Sequence, residues 1–142
     1  MAVVLIVDDE APVRHLLARW IEAAGHDVRE ADSADAALRD IETQPPAVVF
    51  SDIQMPGRDG LWLTAELRKH HPTTAVVLAT GASTVAPRIS MQAGVIAYLV
   101  KPFTKAAVVE ALSLALQWQK DAVLSPGTST PEELRARLDS LK

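Results

Sequence analysis

The chain has no cysteine among its 142 residues, which excludes disulfides and thiolate metal sites. It also has no long hydrophobic run, and none approaches the ~20 apolar residues that a membrane helix needs. The N-terminus lacks a basic stretch and passes straight from apolar to acidic residues, unlike a signal peptide. The expected location is therefore cytoplasmic, with no membrane partner. Positive charge is sparse: the net charge is −4 and nowhere do three Lys or Arg residues fall together. That argues against direct nucleic-acid binding, because neutralising phosphates needs clustered cations. The histidines, His15, His26, His70 and His71, show no metal-ligand spacing and read as solvated surface.

What the chain does have is apolar content. About half of it is apolar, which excludes wholesale disorder, and its length suffices for one domain with a real core. Strand-like runs alternate with helical patterns. The expected strands are Ala2–Val7, Asp27–Glu30, Ala47–Ser51, Ala75–Thr80 and Ile96–Val100. The first helix opens with Pro12 and closes before Gly25, carrying Val13, Leu16, Leu17, Trp20, Ile21 and Ala24 on one face. Ser33 is placed to cap a second helix that stops before Pro45-Pro46. A third helix spans Leu61–His70, a fourth lies near Ala86–Ala93, and Thr104 caps a last one running to about Gln119. Residues 1–120 thus form the domain, 121–130 a linker rich in Ser, Pro and Gly, and 131–142 a short amphipathic helix. In that last segment Thr130-Pro131-Glu132-Glu133 reads as a capping box, followed by a stripe of Leu134, Leu138 and Leu141.

Alternating strands and helices imply a parallel sheet covered on both faces. Right-handed crossovers then gather all strand C-termini at one edge, where such folds bind ligands. Asp8, Asp9, Asp52, Thr80 and Lys101 all follow or end strands at that edge. Three carboxylates together repel one another, and a divalent cation relieves the repulsion. Oxygen ligands with open water positions suit Mg2+, with Mn2+ as a substitute. Lys101 supplies a cation for a phosphoryl oxygen and Thr80 a hydroxyl donor. A carboxylate in this setting can itself be the nucleophile and form an acyl phosphate.

These residues resemble the receiver domain of two-component response regulators. The resemblance covers about residues 1–120 and rests on four features: the acidic pair after the first strand, the Ser-Asp-Ile-Gln-Met-Pro-Gly-Arg-Asp-Gly run after the third, Thr80, and Tyr-Leu-Val-Lys-Pro-Phe across the end of the fifth. It implies a three-layer (βα)5 flavodoxin-like α/β fold, with a five-stranded parallel sheet of order 2-1-3-4-5. It further implies that Asp52 accepts phosphate from a histidine kinase or phosphotransfer protein. Asp8, Asp9, Asp52 and the backbone carbonyl of Gln54 would bind Mg2+, and Lys101 would pair with the phosphoryl group. Thr80 and Tyr98 would act as a coupled switch, and Pro102 would follow a cis peptide bond. On this basis the chain is a signalling switch rather than an enzyme, with at most self-phosphorylation and slow autodephosphorylation.

Other classes fit less well. A haloacid-dehalogenase-type phosphatase resembles Asp-x-Asp-x-Thr/Val, but here Asp52 is followed by Ile53-Gln54-Met55-Pro56, without a general acid. A flavin site of similar topology needs a Ser/Thr/Gly-rich loop where Asp8-Asp9-Glu10 stands. A phosphorylation-independent interaction or dimerisation module is the rival within the family, although every signature residue is present. Two departures stand out. Pro87 predicts a late or irregular fourth helix. The last helix is unusually apolar, so Val109, Leu116 and Trp118 are expected to face a partner, a homodimer through the fourth helix, fifth strand and last helix.

Overall fold

The computed structural model describes residues 2–81 and 95–124. The helices expected near 86–93 and over 131–142 lie outside the described residues, as does the question of where Pro87 falls.

The described chain runs β1 (Val3–Val7), α1 (Ala11–Ala23), β2 (Asp27–Ala31), α2 (Ala34–Thr43), β3 (Val48–Asp52), α3 (Gly60–His70), β4 (Ala75–Thr80), β5 (Val95–Val100) and α4 (Lys105–Leu124). The strands are parallel in the order β2-β1-β3-β4-β5, as expected. Local chemistry starts the helices, at Ser33 and Thr104 where the sequence suggests and also at Asp59. Ser33 Oγ accepts the Ala36 N–H at 3.1 Å and Asp59 Oδ1 accepts that of Trp62 at 2.8 Å. Thr104 Oγ1 accepts that of Ala107 at 3.1 Å, and α1 carries its proline in the first turn.

Side-chain alternation divides the core between the two sheet faces. Val4, Ile6, Val48, Phe50 and Val77 pack with Leu17 and Ile21 of α1 and with Val108 and Leu112 of α4. Leu5, Val7, Val49, Val76 and Leu78 pack with Ile41 of α2 and with Leu63 and Leu67 of α3. The alternation breaks once. Val76 pairs with Val95 but Val77 with Ala97, so Ile96 is an extra residue in β5. Ile96 and Ala97 consequently both join the α1/α4 core, and Tyr98 packs on the α2/α3 side.

Two expectations change at the end of the domain. The linker expected to begin at Asp121 is helical through Leu124, because α4 continues and Ala122 still packs against the core. Trp118, expected to face a partner, is buried within the domain. It is 5 % exposed, with the Arg68 guanidinium 5.4 Å from its ring centroid. The wide apolar surface of α4 is instead largely used internally, by Val108, Ala111, Leu112, Ala115 and Trp118. Arg68 donates to the carbonyls of Pro72 and Thr74, tying the end of α3 to the start of β4, and burial lowers its pKa to about 10. No helix among the described residues is long and apolar enough to cross a membrane.

Candidate functional site

At the C-terminal edge of the sheet, β1 delivers Asp8, β3 ends on Asp52, β4 ends on Thr80 and β5 leads to Lys101. Parallel pairing sets these ends level. Asp52 is in register with Ala79, and Thr80 with Val100. The Ile53 N–H donates to the Ala79 carbonyl at 2.9 Å and the Lys101 N–H to the Thr80 carbonyl at 2.7 Å, so the pairing persists beyond the strands. The Lys101–Pro102 peptide bond is cis.

The centre of the site is an ammonium held by carboxylates. Lys101 Nζ lies 3.0 Å from Asp8 Oδ2, 3.3 Å from Asp52 Oδ2 and 3.7 Å from Glu10 Oε1. Asp8 and Asp52 are buried and Thr80 is fully buried. Burial raises the pKa of the Asp52 carboxyl above its usual value, and the neighbouring Asp8 charge adds to this. The Lys101 charge and the Gln54 N–H oppose it. Burial alone would lower the Lys101 ammonium, but its hydrogen bond to Asp8 and the charges of Asp52 and Asp8 outweigh that and raise it.

Among the described residues, the carboxylates that converge with one oxygen each within 4.8 Å are Asp8, Glu10 and Asp52. Asp9 is exposed and stands outside this group, and Glu10 takes the third place. The backbone explains why. The Glu10 N–H donates to Asp8 Oδ1 at 2.9 Å, which folds the turn after β1 so that Glu10 swings back over the edge. Hard oxygen donors gathered with too little positive charge suit a divalent cation, so the residues present fit one. Tyr98 is half-buried against the α2/α3 core. Val109 and Leu116 are half-buried on α4.

Two members of the neighbourhood were not foreseen. Glu10 had a signal, its place beside the acidic pair. Arg14 had none. Its Nη1 donates to the Asp8 carbonyl at 2.7 Å and its Nε to Glu30 Oε1 at 3.0 Å.

A family model for the response regulator receiver domain matches residues 4–113. The chain belongs to this family. The receiver is 37 % identical over 99 residues to the DNA-binding transcriptional regulator NtrC of Klebsiella pneumoniae, covering 69 % of this chain and 21 % of that protein. It is 36 % identical over 110 residues to the response regulator protein FleR of Pseudomonas aeruginosa, covering 77 % and 23 %. Among solved structures it resembles the receiver domain of NtrX from Brucella abortus, with a TM-score of 0.75 and 35 % identity over 80 % of this chain and 98 % of that one. The receiver thus spans about a fifth of the length of the NtrC and FleR relatives.

Proposed function

We propose that this receiver is a phosphorylation-dependent switch in which Asp52 takes a phosphoryl group from a histidine kinase or phosphotransfer protein. The observation that carries the reading is Lys101 Nζ held between Asp8 Oδ2 at 3.0 Å and Asp52 Oδ2 at 3.3 Å, at the sheet edge where the strands end. An Asp52 oxygen attacks phosphorus, the P–O bond of an acyl phosphate forms, and the P–N bond to the donor imidazole breaks. The leaving nitrogen keeps the bonding pair. Lys101 is then free to turn from the carboxylates to the phosphoryl oxygens, and the Thr80 hydroxyl is the nearby neutral donor.

The residues proposed to hold Mg2+, or Mn2+ in its place, are Asp8, Asp9, Asp52 and the Gln54 carbonyl, with Glu10 a further carboxylate on the same loop. When bound, the cation neutralises charge on the phosphoryl oxygens. The proposed output passes through Thr80 and Tyr98 to the surface of the segment after β4, β5 and α4. Val100, 49 % exposed at the end of β5, supports an apolar contact there, and Val109 and Leu116 remain candidates for a homodimer. DNA binding and other activities of the longer relatives belong to those proteins.

The test is a phosphate-affinity gel after incubation with acetyl phosphate and MgCl2. A retarded band that disappears in Asp52→Asn supports the switch. No band with any donor favours a phosphorylation-independent interaction module.

A further inference from the structure

Asp8 is gripped at every polar atom. Its N–H donates to the Ala31 carbonyl at 3.2 Å, its Oδ1 accepts the Glu10 N–H and its Oδ2 faces Lys101. Its carbonyl oxygen accepts from Arg14. Arg14 is the one side chain in this set that reaches Asp8 from α1, and it is 15 % exposed. Its other end is anchored. Glu30 Oε1 takes Arg14 Nε at 3.0 Å, and His15 Nε2 approaches the same oxygen at 3.4 Å. Glu30 lies on β2, in register with Ile6 of β1. Arg14 therefore joins three parts of the chain: α1, which carries it; the turn just past β1, whose Asp8–Asp9 peptide it holds; and the outer strand β2, which holds it.

We propose that Arg14 is a positioning residue that fixes the Asp8–Glu10 turn in the form that aims carboxylates at Asp52. This rests on the reading of the site as a cation-assisted phosphoacceptor. The Asp8 carbonyl direction sets the plane of the Asp8–Asp9 peptide. Rotating that plane turns Asp9 and moves the Glu10 N–H away from Asp8 Oδ1. A planar guanidinium with donors on two sides holds both the carbonyl and Glu30 at once through different nitrogens, whereas an ammonium lacks that fixed fork. The guanidinium also places a fixed positive charge behind an acidic turn.

The test separates positioning from support of the fold. Wild type, Arg14→Lys, Arg14→Gln and Glu30→Gln are melted in EDTA and then across a MgCl2 series. The rise in Tm with concentration gives the Mg2+ affinity. Groups that orient metal ligands typically change affinity about 10–100-fold when altered, so both Arg14 variants are expected to bind Mg2+ at least about tenfold more weakly. Their Tm in EDTA should fall little. Glu30→Gln should give a smaller loss in the same direction, and adding it to Arg14→Gln should add nothing further. Wild-type Mg2+ affinity in both Arg14 variants would overturn the inference alone. A loss of affinity that merely follows the EDTA Tm from variant to variant would do the same. Absence of Mg2+ binding by the wild type would overturn the site reading and this inference together.

Discussion

Gly60 is where α3 begins, and its missing side chain lets the helix abut the strand end that carries Asp52. A Cβ built on Gly60 would fall on the Asp52 carbonyl oxygen, 3.0 Å from Ile53 Cα and 3.1 Å from the Asp52 carbonyl carbon. All three neighbours are backbone, so no rotamer change relieves the clash. Gly60→Ala gains at most about 1 kcal/mol of helix propensity, less at a first-turn position. Overpacking a tight site costs about 1–3 kcal/mol, and a backbone neighbour belongs at the upper end. The net expectation is a destabilisation of about 2 kcal/mol. With a urea slope of about 1–3 kcal/mol/M for a domain of this kind, the midpoint falls by about 1 M. Urea titration followed by tryptophan fluorescence measures this. The same displacement moves Asp52 relative to Lys101, so phosphorylation by acetyl phosphate should slow in the folded variant. Gly81→Ala is the control. Among the described residues its Cβ would meet only Lys101 Cδ at 3.9 Å, an ordinary contact, so stability should stay within about 0.5 kcal/mol. A Gly60→Ala variant with an unchanged or higher midpoint and unaltered phosphorylation would refute the reasoning.

Lys101→Met leaves Asp8 and Asp52 facing each other with side-chain exposures of 3 % and 7 %. In EDTA at neutral pH this should cost about 3 kcal/mol, and added MgCl2 should recover part of it; denaturant midpoints in the two buffers check both statements. The raised Asp52 carboxyl contributes stability that is fully present below its unfolded value of 3.8 and is lost as pH rises through the higher folded value. Asp52→Asn in EDTA should therefore be more stable than wild type at pH 7, with the gap closing as pH falls toward 3.8. A constant gap across a pH series of melts would contradict the assigned cause. Val109→Glu on α4 should dissociate the proposed dimer, and sedimentation velocity showing the same species as wild type would reject that face.

Much of the fold was legible because its signals are local. Apolar strands ending on polar residues, Ser33 and Thr104 at helix starts, and proline and glycine at breaks all act within a few residues. Asp8, Asp52 and Lys101 could be assigned to one site because parallel strands bring like ends together. The partner expected for Trp118 was misread because an apolar helix face looks the same whether another chain covers it or Arg68 from α3 does. Glu10 replaced Asp9 in the acidic cluster because the direction of each carboxylate depends on one turn hydrogen bond, which spacing does not encode.

The sequence by itself determined the residue types at the sheet edge and, through strand and helix periodicity, the parallel architecture that collects them. Tertiary structure decided their orientation. The extra residue at Ile96 puts Tyr98 on the α2/α3 side. Strict alternation from Val95, which packs on that same side, would have sent Tyr98 to the opposite face. Arg14 is held on Asp8 from the side of β2, which stands beside β1 and supplies Glu30 as its anchor. Both depend on contacts between segments distant in the chain or on register between strands, and no local pattern records either.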